Sequence, residues 1–88
     1  MRHLTRDRAR KLAATMTRWI ARKNLSGVNA LPCQWWPGGQ PRFGVMIGIT
    51  IHHGGQFCDH HHHTLAATQR CAQRTAKALS RREAPCTQ

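Results

Sequence analysis

Four histidines stand in a row at His60–His63, with His52, His53 and Cys58 shortly before them. Neutral imidazole and thiolate are donors that zinc and copper favour, and four consecutive side chains on a helical turn point in nearly every direction. His53 and Cys58 with one of the tract, His60 or His62 being candidates, can close a zinc site to which Cys33 or Cys71 adds a fourth donor. No CxxC, HExxH or Cys2His2 spacing reinforces that set, so it competes with plain adventitious affinity of a surface tract. No cofactor is expected, and zinc is the one these residues could accept. If the tract opens a helix, its protonation opposes the helix dipole and acid loosens that end.

The second chemical resource is cationic charge. The chain carries 14 Lys+Arg against 3 Asp+Glu, a formal net charge of +11, within 88 residues. Eight of those cations fall in residues 1–24 and five in residues 70–83, while Arg42 is the only one between. Arg8, Lys11, Arg18 and Arg22 make one stripe at helical spacing, and Arg70, Arg74, Lys77 and Arg81 make another. Along a helix such steps repeat about every 5–6 Å, which suits a polyanion, and arginine grips phosphate bidentately. Like charges one turn apart repel by a few tenths of a kcal/mol, roughly, so the surface is consistent with one completed by an anionic partner. The plainer expectation is a pair of solvated faces that keep a small protein in solution.

Trp35-Trp36 precede Pro37-Gly38-Gly39, so one indole can enter the interior while the other stays out as an interface aromatic or a base-stacking platform. Catalysis has little to draw on. Asp7, Asp59 and Glu83 are the only acids and lie far apart, which disfavours paired-carboxylate chemistry. Phosphate-loop, dinucleotide and serine-hydrolase motifs are missing, and nothing orients a base against any of the four cysteines, so no catalytic residue is expected.

The elements that must hold these groups are few. Ala9, Leu12, Ala13, Met16, Trp19 and Ile20 recur at three- and four-residue steps and predict a helix over about 5–24, capped by Thr5 and stopped by Ser26-Gly27. Val28–Trp36 is a weaker strand, and Pro32 within it suits an edge. Phe43, Val45, Ile47, Ile49 and Ile51 alternate with Gly44, Met46, Gly48 and Thr50, predicting a strand over about 42–52 with one buried face and one flat face. Phe57-Cys58 can add a short third pairing. A last helix over about 59–83 takes Asp59 as its cap and ends before Ala84-Pro85. The result is one α+β domain over 1–88, in the order α-β-β-(β)-α, with two basic helices on one face of a hairpin or short three-stranded sheet. The open edge of the 43–51 strand permits a dimer.

That order, with its Ala-rich last helix, resembles the double-stranded-RNA-binding domain in topology. The family's phosphate-gripping lysine cluster at the start of the last helix has His60–His63 in its place, and the family's loop motif between the first two strands is absent. No apolar stretch of membrane-spanning length and no secretory core is present, so an intracellular, cytoplasmic protein is expected. The first 24 residues also fit a mitochondrial presequence, but removing them strips one covering helix from the hairpin. Two functions follow. The first is a non-enzymatic module that binds DNA or RNA through the two stripes. The alternative is a small inhibitor or adaptor, of the kind viruses and mobile elements carry, that docks its basic surface on an acidic or nucleic-acid-binding groove of a larger protein.

Overall fold

The computed structural model describes residues 4–49, 58 and 61–86, with side chains as far as residue 81. His53, Asp59, His60, Phe57 and the end of the second predicted strand lie outside the described residues.

Helix α1 spans Arg6–Lys23. Thr5 caps it from an extended conformation, its hydroxyl accepting the Arg8 N–H at 3.1 Å. Asp7 in the first turn and Arg22 and Lys23 in the last suit the helix dipole. The stop comes earlier than Ser26-Gly27. Asn24 turns left-handed (φ 58°, ψ 44°), donating to Ala21 O, and Leu25 N–H reaches back to Ile20 O at 3.2 Å. Asparagine tolerates this conformation better than most residues, so it does the work usually given to glycine.

Strands β1 (Val28–Trp35) and β2 (Arg42–Ile49) form an antiparallel hairpin in which Val28 faces Ile49 and Trp35 faces Arg42. Pro32 is accommodated for a specific reason. Its partner Val45 spends both backbone groups on His62, at 2.9 Å each, on the side away from β1. The Pro32–Val45 pair is therefore the non-hydrogen-bonded kind, and the amide that proline lacks would have pointed to the outside.

The edge of β2 that looked open to a second chain is occupied by this one. His62 bridges Val45, Cys58 N–H donates to Ile47 O at 3.0 Å, and Leu4 bridges Phe43. Of the expected Phe57-Cys58 pairing, Cys58 contributes a single backbone bond; the isolated bridges beside the two-stranded sheet come from His62 and Leu4.

Helix α2 runs Leu65–Cys86, six residues later in start than Asp59 suggests. Thr64 begins it, its hydroxyl accepting the Ala67 N–H at 3.2 Å and its carbonyl the Thr68 N–H at 3.1 Å. His61–His63 consequently precede the helix, and the expected acid effect on a histidine-rich first turn loses its basis. At the other end the helix continues past Pro85 to Cys86, where a missing amide removes one bond from a terminal turn.

Both helices cover the same face of the hairpin. Met16 and Ile20 from α1 and Cys71, Ala72 and Leu79 from α2 close over Val28, Ala30, Val45 and Ile47 in one cluster. Met16, Val45 and Ile47 are at most 1% exposed. Burying each such side chain contributes about 1.5–3 kcal/mol. The helices run side by side in the same sense: His63 lines a depression with Arg8 and Lys11, and Ala76 and Leu79 line another with Asn24 and Leu25.

Candidate functional site

Two regions carry the chemistry. The first is the outer surface of the helical layer. On α1 the buried residues are Ala9, Ala13, Met16 and Ile20. At about 100° per residue, Lys11, Arg18 and Arg22 fall nearly opposite them, and Arg8 lies on the flank. On α2 the same arithmetic puts Arg70, Arg74, Lys77 and Arg81 opposite Thr68, Ala72 and Leu79. Because the helices share one layer, both stripes emerge on the side of the molecule away from the sheet, and all eight side chains are exposed. Asp7 meets Lys11 at 3.2 Å, with both groups in solvent, where such pairs contribute little. Arg18 leans on the Thr15 hydroxyl at 3.3 Å. Arg70, Arg74 and Lys77 rim a shallow depression with Gln73.

Sequence reasoning overlooked Arg6 and Arg10, which lie outside the stripe. They line a groove of about 240 Å³ with Pro32, Cys33, Gln34 and Phe43, and the Arg6 guanidinium sits 5.5 Å from the Phe43 ring centre. A cation over an aromatic face is a tertiary contact, so helical spacing alone did not reveal it.

The second region lies where Cys58 and His62 meet the edge of β2. From His61 to His63 the backbone is extended, and alternate side chains take opposite sides. His62 turns toward the interior, with Nε2 at 3.6 Å from Cys58 Sγ, and Cys71 from α2 completes a group whose donor atoms all lie within 4.8 Å of one another. These three residues can hold a metal ion. Ile47 N–H points at Cys58 Sγ from 3.3 Å. Burial, reinforced by the neighbouring Cys58 thiol, pushes the Cys71 thiol up to about 11. Burial also raises Cys33, which sits on the far side of the sheet opposite Gly44.

Of the donors expected from sequence, Cys58 and His62 come together, while His53 and His60 lie outside the described residues. Cys71, expected only as an alternative to Cys33 for the fourth donor, is both buried and a member of the group. Its place follows from α2 crossing β2 at that height, which no local spacing encodes.

His61 and His63 turn the other way. The Trp35 indole stacks on His61 with ring centres 3.8 Å apart and planes 16° from parallel, and His63 lies 5.7 Å away. Gly44 makes room: a Cβ there would meet His62 O at 2.9 Å and the Trp35 ring at 3.3 Å. The flat face expected from the glycines of β2 is where these groups pack. Trp36 is 60% exposed, so one indole of the pair is tucked away and the other is free.

Comparison with known proteins adds no relative: no family model, curated protein or solved structure matches the chain. Among the described residues no helix is long and apolar enough to cross a membrane.

Proposed function

We propose that this protein binds nucleic acid through the outer surface of its helical layer, without catalysing a reaction. The observation that supports this reading is the convergence of both basic stripes on one side. Eight exposed cations on two adjacent helices offer a polyanion two parallel rows of contacts. Interhelical spacing of about 8–10 Å keeps the rows close enough to engage neighbouring phosphates. Arg8, Lys11, Arg18 and Arg22 form one row, and Arg70, Arg74, Lys77 and Arg81 the other. Contacts of this kind position a protein on the backbone and carry no base preference. Exposed Trp36 offers a ring for an unpaired base.

The test is fluorescence anisotropy with labelled single- and double-stranded DNA and RNA. Neutralising six to eight phosphates predicts an affinity that falls about 10³–10⁴-fold between 50 and 200 mM salt on duplex. Binding no tighter than that of an unrelated protein of equal charge contradicts the proposal and turns attention to an acidic protein groove as the partner of the same surface.

A further inference from the structure

We infer that Cys58, His62 and Cys71 form a zinc site that ties the edge of β2 to α2. The geometry is close to what the metal requires. Zinc–sulfur and zinc–nitrogen bonds of about 2.3 and 2.0–2.1 Å at a tetrahedral angle place the two donors about 3.6 Å apart. Cys58 Sγ and His62 Nε2 are 3.6 Å apart. Cys71 Sγ lies within 4.8 Å of both. A tetrahedral sulfur–sulfur edge is about 3.8 Å, so a small rotation of Cys71 completes the set.

The surroundings favour the same conclusion. The ligands do not hang from a free loop: His62 is held by two backbone bonds to Val45, and the Cys58 amide is held by Ile47 O. The Ile47 N–H aimed at Cys58 Sγ stabilises a thiolate, as groups around metal-bound sulfur do. Binding exchanges the two thiol protons for Zn²⁺, releasing them to solvent, and leaves a net neutral centre of two thiolates, one neutral imidazole and the ion. Three protein donors fill three tetrahedral positions, and the fourth goes to water or another donor. For a chain of 88 residues, a metal that joins the edge of the sheet to a helix is a familiar supplement to a small core.

The experiment uses the full, tag-free protein, reduced and stripped with chelator, then titrated with Co²⁺ followed by Zn²⁺. One equivalent of cobalt should produce sulfur-to-cobalt charge transfer in the near ultraviolet and the visible bands of a tetrahedral ion, and zinc should displace it. Cys58→Ser, His62→Ala and Cys71→Ser should each weaken cobalt binding by at least about tenfold, by analogy with outer-shell changes that already do so. The double variant His61→Ala/His63→Ala keeps all three ligands and should retain the spectrum. A wild-type spectrum lacking thiolate charge transfer overturns the inference whatever the variants do. So does a spectrum that survives Cys71→Ser but is lost with the two histidines, because the tract alone is then the ligand.

Discussion

The helical surface and the Cys/His group differ in how they are made. The surface is additive: each cation is exposed, reaches solvent independently, and owes its place to helical spacing alone. The Cys/His group is cooperative: its members come from a crossing segment and from α2, and the β2 edge fixes their positions. Losing one cation should weaken the surface by a step, whereas losing one donor or one support should disable the group. A protein this small can therefore carry a diffuse binding face and a localised centre that fail in different ways.

The sharpest way to break that distinction is to disturb the segment that crosses β2 without touching a ligand. Gly44→Val puts a branched side chain where even a single Cβ meets the His62 carbonyl at 2.9 Å. Backbone must move, so the variant should lose about 1–3 kcal/mol in urea unfolding, in the range of overpacked sites. It should also lose cobalt charge transfer while duplex binding at a given salt changes little. Equal loss of both activities would show that the two regions are one.

A truncation in the shared core should affect both regions together. Ile47→Ala removes a side chain that is 1% exposed and lies beneath both helices. A loss of about 2–5 kcal/mol is expected by denaturant titration. The caps separate the helices again. Thr64→Ala removes the hydroxyl that starts α2, and about 0.5–2 kcal/mol with it. Asn24→Gly, which keeps a residue suited to φ 58°, should change thermal stability by no more than about 1 kcal/mol. Smallest of all, Asp7→Asn frees Lys11 from an exposed pair and should alter stability by less than about 1 kcal/mol while slightly tightening polyanion binding at low salt.

The additive region was almost entirely legible in the sequence. Three- and four-residue periodicity placed α1 to within a residue and put its basic stripe away from the buried face. Period-two alternation likewise gave β2 its buried side. What local patterns do not contain is competition between signals. Asp59 is a good cap in isolation, yet Thr64 starts α2, and His62 between them bonds to the edge of β2. Ser26-Gly27 is a good stop, yet Asn24 ends α1 first. The same competition explains the partial view of the centre. Once His61–His63 are extended rather than helical, alternation sends His62 inward and its neighbours onto Trp35, and only the tertiary crossing of α2 supplies Cys71.

Both helical stripes are proposed to act together on one polyanion. The most direct measurement is the salt slope of duplex binding for the parent and two charge-reversed proteins. One carries Arg8→Glu, Arg18→Glu and Arg22→Glu, and the other Arg70→Glu, Arg74→Glu and Arg81→Glu. Each should fold as the parent does by circular dichroism, bind more weakly at every salt concentration, and show a log–log slope reduced by about 0.9 for each phosphate contact removed. A slope that falls for one helix and stays at the parent value for the other, or stays there for both, would contradict a shared surface.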